Sequence, residues 1–123
     1  MSVVLVVDLA RVLDESAPGK QGAAALQARF DDAKAQHAKL LARATTEQGK
    51  RAAAEAADAL EGDALRAIEV ERTRLREDVL ARARPIVFAL MQERAADVVI
   101  DAAACLVLAT GIDVTDVVLQ RLA

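Results

Sequence analysis

Between Gly19 and Asp97 the chain contains almost only residues that favour an α-helix. Alanine, which accounts for 29 of the 123 residues, is the strongest helix former but adds little buried surface per residue. A helical run of this length needs a partner, because most helical stability in proteins comes from packing. The sequence therefore predicts a hairpin of two antiparallel helices over 19–97.

The apolar spacing within this run is that of a coiled-coil seam. The outgoing helix repeats it every three or four positions, at Leu26, Phe30, Ala33, His37, Leu40 and Ala44. The returning helix repeats it at Leu65, Ile68, Leu75, Val79, Ile86 and Leu90. Alanine or charged residues fill several other positions, so we predict a thin seam and arms that separate easily.

Two segments compete for the tip of the hairpin. Thr45, with Gln48 three residues later, has the spacing of a capping box and places the tip near 45–49. The alternative is Glu61-Gly62-Asp63, which would give more equal arms. Pro85 lies in the returning helix and is expected to kink it, because proline removes a backbone hydrogen bond.

Residues 1–18 have the pattern of a strand followed by a short helix. Residues 3–7 form a β-branched run without alternation, which predicts a strand covered on both faces. Asp8 is placed to cap a helix that starts at Leu9. Pro18 and Gly19 are expected to interrupt the chain before the long helical run.

Residues 98–123 return to short apolar runs. Residues 98–100 and 106–108 are predicted as strands, and Asp113 is predicted to cap a final amphipathic helix. Three short strands make a poor sheet on their own. The sequence thus predicts one α+β domain whose small β-body, 1–18 and 98–123, is completed by self-association.

Charge is unevenly divided along the chain. Segments 1–16 and 98–123 together hold two basic and six acidic residues, whereas 20–51 holds seven basic and three acidic ones. The net charge of −3 argues against nucleic acid as a partner. A basic outgoing helix would attract acidic segments or lipid headgroups, although a solvated helix face is the simpler interpretation. The candidate binding residues are Lys34, Lys39, Arg43, Lys50 and Arg51.

The sequence offers no catalytic constellation. His37, the only histidine, falls on the seam, and no further ligands lie at helical spacing from it, so no metal is expected. Cys105 is expected to be a free thiol that acts as a small hydrophobe. Gly19-Lys20-Gln21-Gly22 lacks the spacing of a phosphate-binding loop. We therefore expect no enzyme activity and no cofactor.

Three segments resemble one known family. "VVDLARVLDESAPGK" (6–20) resembles the N-terminal signature of the Skp/OmpH family of outer-membrane-protein chaperones. "RPI" (84–86) resembles the point at which the returning arm re-enters the body in that family. "DVVIDAAACLVLATGIDVTDVVLQRL" (97–122) resembles the family's closing strands and last helix. Their order along the chain strengthens the resemblance.

The resemblance implies a homotrimer in which strands of three subunits form a β-body and three helical hairpins surround a cavity. Unfolded outer-membrane proteins would be held there without ATP, in the periplasm. Residues 3–7 are too short an apolar run for a signal peptide, so the cytoplasm stays an alternative address. The expected subunit contacts are Val3, Leu5, Val7, Val99, Leu106 and Leu108.

The competing hypothesis is a structural coiled-coil module that joins or spaces partners and holds no client. A strong, leucine-rich seam would favour that module, because it would bury the helices against each other. The observed seam is rich in alanine, which favours arms that open around a client.

Overall fold

The computed structural model describes residues 3–107, 109 and 111–123. The elements are β1 (Val4–Val7), α1 (Leu9–Glu15), α2 (Ala17–Ala42), α3 (Glu47–Glu93), β2 (Val98–Asp101), a short 3-10 helix (Ala102–Ala104) and α4 (Thr115–Leu122). The protein is mostly helical, with one small parallel sheet. It divides into a terminal unit, Met1–Gly22 with Leu75–Ala123, and a central unit, Ala23–Arg74.

The sheet of the terminal unit has β1 at its centre. β1 pairs in parallel with β2, in a register that runs from Val4 opposite Val98 to Val7 opposite Asp101. On the other side of β1, the Ile112 carbonyl accepts a hydrogen bond from the Val6 N–H at 2.8 Å. The predicted first strand and the strand over 98–100 are confirmed. β2 is an edge strand, because no further strand among the described residues pairs with it.

The apolar side chains of β1 are covered by the same chain. Leu5 and Val7 are each 2% exposed, and Val6 is fully buried. Leu5 and Val7 belong to a core with residues from α1, α3, α4 and the position just before α4: Val12, Val79, Ala83, Leu90, Val114 and Val118. The expectation that β1 needs a partner subunit to cover it is therefore wrong, because the helices of a single chain already do so.

The start of α1 is as predicted, but the start of α2 is not. The Asp8 carboxylate accepts a hydrogen bond from the Arg11 N–H at 3.2 Å and caps α1. The predicted interruption at Pro18 and Gly19 is wrong, since α2 already begins at Ala17. The Ser16 hydroxyl accepts from the Gly19 N–H at 3.1 Å. Proline is tolerated in the first turn of a helix, where its missing N–H has no intrahelical partner to lose.

Gly19 is required by the close approach of the first helical turn to α1. A Cβ atom at Gly19 would overlap the backbone carbonyl of Leu13. We predict that Gly19→Ala lowers the free energy of unfolding by about 1–3 kcal/mol, the usual range for overpacking. Urea denaturation followed by circular dichroism measures this change.

Gly62→Ala is the matched control, because Gly62 lies inside α3 and a Cβ there meets only the end of the Arg66 side chain. It should raise stability by up to about 1 kcal/mol, the difference in helix propensity. Equal effects of the two substitutions would show that the contact with Leu13 does not restrict Gly19.

The segment after β2 departs from the sequence prediction. The prediction of a strand over 106–108 is wrong for Leu106 and Val107, which the structure describes and which are not in a strand. The Asp101 carboxylate accepts from the Ala103 N–H at 3.2 Å and starts the 3-10 helix, so the chain turns instead of continuing extended. Leu108 lies outside the described residues.

A small polar network joins β1 to the start of α4. The Thr115 hydroxyl accepts from the Asp8 N–H at 2.9 Å and donates to the Asp113 carboxylate at 2.5 Å. Asp113 also accepts from the Thr115 N–H at 2.9 Å. Asp113 thus satisfies a backbone donor of the first helical turn, as predicted, although the residue directly before α4 is Val114.

The same network makes stability depend on pH. The Thr115 hydroxyl and then the Thr115 N–H stabilise the ionised carboxylate, which lowers the pKa of Asp113 below its ordinary value. The Asp113 carboxylate contributes its full share to the free energy of unfolding above the unfolded-state pKa of about 3.9. This contribution is lost as the pH falls through the lower folded-state pKa. We predict that Asp113→Asn destabilises the protein at pH 7 and flattens the acid loss of stability below about pH 5.

Urea denaturation at several pH values measures this dependence. Asp14→Asn, which removes an exposed carboxylate of α1, is the control and should leave the pH profile close to wild type. A profile for Asp113→Asn parallel to that of wild type would contradict the assignment.

The two long helices are separated at 43–46. The predicted capping box of Thr45 and Gln48 is wrong, because the Thr46 hydroxyl is the group that accepts from the Gly49 N–H, at 3.0 Å. Gly49 has no side chain to reach back, so the cap is not reciprocal. The alternative tip, 61–63, lies inside α3, which also continues through Pro85 to Glu93.

Candidate functional site

The buried side of the central unit is thin. Of the predicted seam on α2, Phe30 is 36% exposed and the other positions are partly buried. In this part of α3 the buried residues are Ala57 and Ile68. The prediction that Leu65 lies on the buried seam is wrong, because Leu65 is 46% exposed. Ala64 is less exposed than Leu65. It lies four residues before the buried Ile68, so helical spacing counted from Ile68 predicts it.

Residues of α2 and α3 line common grooves in the central unit. Phe30, Lys34 and His37 share a groove of about 270 Å³ with Glu61 and Leu65. The His37 Nε2 atom lies 3.6 Å from an Asp58 carboxylate oxygen and 3.5 Å from a Glu61 carboxylate oxygen. The two helices therefore lie side by side over these residues.

All five predicted binding residues are exposed, four of them on the helices that flank 43–46 and one at the start of that turn. Lys34 and Lys39 are on α2, Arg43 begins the turn, and Lys50 and Arg51 are in the first turns of α3. Lys34 Nζ lies 5.3 Å from the centre of the Phe30 ring, a distance at which the ammonium is attracted to the aromatic face. This places positive charge and exposed apolar surface next to each other.

The five residues, like Arg29, differ in their pairing from the three other basic residues of the central unit. Arg66, Arg72 and Arg74 each pair with an acidic residue three positions earlier on α3. None of the five forms an ion pair with any described residue. Their charge is therefore available to a partner.

The two acidic residues of α2, Asp31 and Asp32, have other partners. The Gln27 amide donates to the Asp31 carboxylate at 3.0 Å, and the Gln36 amide donates to the Asp32 carboxylate at 3.0 Å. Leu41, 42% exposed, adds apolar surface close to the turn. We call the five basic side chains, together with the exposed apolar side chains of Phe30 and Leu41, the tip surface. It is thus basic with apolar patches.

Two arginines of the terminal unit form ion pairs between helices. Arg121 forms two hydrogen bonds to the Glu93 carboxylate, at 2.9 and 3.2 Å, which lowers the pKa of Glu93 and raises that of Arg121. Hydrogen bonds to Glu15 and to Asp116 likewise raise the pKa of Arg11. These pairs connect α4 to α3 and α1, and so have a structural role.

The predicted subunit-contact residues fall into two groups. Leu5 and Val7 are buried in the core of a single chain, so little of either side chain is left for a partner, and Val99 is partly buried. Val3 is exposed, and Leu106 is fully exposed. Exposed residues that the sequence reasoning missed are Val98, Ile100 and Val107.

An apolar groove of about 490 Å³ lies next to the sheet in the terminal unit. Its walls include Leu80 and Val87 of α3 and Ile100 of β2, and Phe88 at its side is 60% exposed. Val98 and Ile100 of the edge strand β2 are also exposed apolar side chains in this unit.

Comparisons with known proteins leave the family open. Neither the protein-family models nor the curated proteins contain a match to this chain. Among the helices that the structure describes, none has an apolar stretch long enough to cross a lipid bilayer.

Proposed function

We propose that this chain is a holdase chaperone that binds unfolded outer-membrane β-barrel proteins without ATP and prevents their aggregation. The observation that supports this most is the tip surface, where five basic side chains have no ion-pair partner among the described residues. The resemblance of 6–20, 84–86 and 97–122 to the Skp/OmpH family supports the same function and a periplasmic location.

A holdase that uses no nucleotide must bind weakly at many points, so that its client leaves when a more stable state is reachable. Exposed charges each contribute up to about 1 kcal/mol and are screened by salt. Exposed apolar side chains such as Phe30 and Leu41 add contacts that salt does not screen. Several copies of such a surface retain a client through effective concentration.

We propose that α2 and α3 form the antiparallel hairpin of a client-holding arm. The short distances from His37 to Asp58 and Glu61 support this arrangement within the central unit. The thin seam, with Ala57 and Ile68 as its buried residues on α3, lets the two helices separate at low cost.

We further propose a homotrimer assembled through the edge of β2. An edge strand presents unpaired backbone groups, and Val98 and Ile100 are exposed along it. Size exclusion coupled to light scattering should give three times the chain mass of 13.0 kDa. Ile100→Asp should reduce the mass to that of one chain without loss of helix. A monodisperse monomer for the unmodified chain would contradict the trimer.

Direct binding tests the proposed function. A fluorescently labelled β-barrel protein, unfolded in urea and diluted into buffer, should bind the chain with an increase in anisotropy, in the absence of ATP. The same barrel protein folded in detergent micelles is the control and should not bind. Equal binding of both forms, or of neither, would contradict a preference for unfolded clients.

The alternative, a scaffold module that holds no client, is favoured by one observation, the apolar groove of about 490 Å³ beside β2. A scaffold would use that groove for a folded partner and would leave the tip surface to solvent. Neutralising the tip surface would then leave all binding unchanged, whereas the holdase hypothesis predicts weaker client binding.

A further inference from the structure

We propose that His37, Asp58 and Glu61 form a zinc-binding site that joins α2 to α3 in the central unit. One nitrogen of His37 and one oxygen of each carboxylate all lie within 4.8 Å of one another. Imidazole and carboxylate are ligands that Zn²⁺ commonly uses in proteins. The sequence reasoning missed this site because it searched for ligands at helical spacing from His37, whereas the carboxylates come from the facing helix.

The distances fit a tetrahedral ion. With metal–ligand bonds of about 2.0–2.1 Å, two ligand atoms of a tetrahedral zinc site are about 3.3–3.4 Å apart. His37 Nε2 lies 3.5 Å from Glu61 and 3.6 Å from Asp58. The Asp58 and Glu61 oxygens lie within 4.8 Å of each other, so these two exposed carboxylates must close by up to about 1.4 Å to bring all three atoms to bonding distance.

Charge favours a divalent ion at this place. Asp58 and Glu61 lie one turn apart on α3, and like charges at this spacing destabilise a helix. A protonated histidine supplies one positive charge, whereas Zn²⁺ supplies two and bonds to both carboxylates. Asp63, Glu69 and Glu71, by contrast, each pair with an arginine of α3.

The neighbouring groove leaves room for a fourth ligand. His37 and Glu61 line the cavity of about 270 Å³ that also contains Phe30 and Lys34. A water molecule or a donor from a bound partner fits on that side. Three protein ligands with one open position are typical of zinc sites that exchange a ligand. The main effect of the metal would be to cross-link α2 and α3.

Zinc titration of the full chain tests the site, in a Cys105→Ser background that removes the free thiol. Competition with a chromophoric chelator should show one Zn²⁺ per chain, and Zn²⁺ should raise the midpoint of thermal unfolding. Co²⁺ in place of Zn²⁺ should give the intense visible absorption of a tetrahedral complex. Loss of a group that only hydrogen-bonds to a ligand already costs zinc sites about 10–100-fold in affinity, so His37→Gln, Asp58→Asn and Glu61→Gln should each cost at least about tenfold.

Glu55→Gln is the matched control, since it removes an exposed carboxylate from the same helix outside the cluster. It should leave the affinity within about twofold of the background, because Glu55 supplies no ligand atom to the cluster and an exposed charge contributes little. Binding that survives His37→Gln, or that weakens equally in Glu55→Gln and Glu61→Gln, would overturn the proposal. So would a weak, octahedral Co²⁺ spectrum. None of these readouts depends on client binding.

Discussion

Replacing Leu5 with Asp is expected to unfold the terminal unit. Leu5 is 2% exposed and belongs to the core that β1 shares with α1, α3 and α4. An unpaired charge buried at such a position costs several kcal/mol, a large part of the 5–15 kcal/mol by which a domain is usually stable. Urea denaturation followed by circular dichroism should show a midpoint shifted to much lower urea, or no folded baseline.

Val3→Asp is the matched control, because Val3 precedes the same strand but is exposed. It should keep the folded baseline of the wild type. The comparison also separates two roles for Leu5. A Leu5→Asp chain that kept wild-type stability but became monomeric would show that Leu5 contacts a partner subunit and does not pack in its own core.

The second large effect is expected from neutralising the tip surface. Replacing Lys34, Lys39, Arg43, Lys50 and Arg51 with Gln removes five charges that no described acidic residue pairs with. At about 0.2–1 kcal/mol for each exposed charge, client affinity at low salt should fall about tenfold or more. Much of the salt dependence of binding should disappear with it, while binding through apolar contacts persists.

A matched pair of triple variants locates the effect. Lys34, Lys39 and Arg43 are replaced with Gln in one, and the paired residues Arg66, Arg72 and Arg74 in the other. The net charge changes equally, but we expect the first to weaken client binding more. Equal losses in fluorescence anisotropy titrations would mean that net charge alone attracts the client and that the tip surface has no special role.

Local sequence signals predicted much of the fold. The β-branched run at 3–7, the Asp8 cap and the two long helices follow from propensity and spacing within a few residues. The cap at Thr46 was placed one residue early, because Thr45 and Thr46 offer the same hydroxyl. The sequence predicts a strand over 106–108 that its described part does not form, since the competing cap from Asp101 depends on its position at the end of β2.

The candidate sites were less predictable because they depend on contacts between helices. The charge of the tip surface is visible in the sequence, but its lack of ion-pair partners is visible only in the structure. The proximity of His37 to Asp58 and Glu61 requires the register of α2 against α3, which the thin seam does not fix. Burial of β1 by its own chain is not visible in the sequence either, because it depends on how α1, α3 and α4 pack against the strand.

Suppression of aggregation tests the holdase proposal most directly. A β-barrel outer-membrane protein unfolded in urea is diluted into buffer without ATP, and light scattering is followed with increasing amounts of the chain. We expect scattering to fall to the baseline once enough chain is present for one trimer per client, and the five-residue tip variant to need several-fold more protein at low salt. Scattering that is unchanged by an excess of the folded chain would contradict the holdase function.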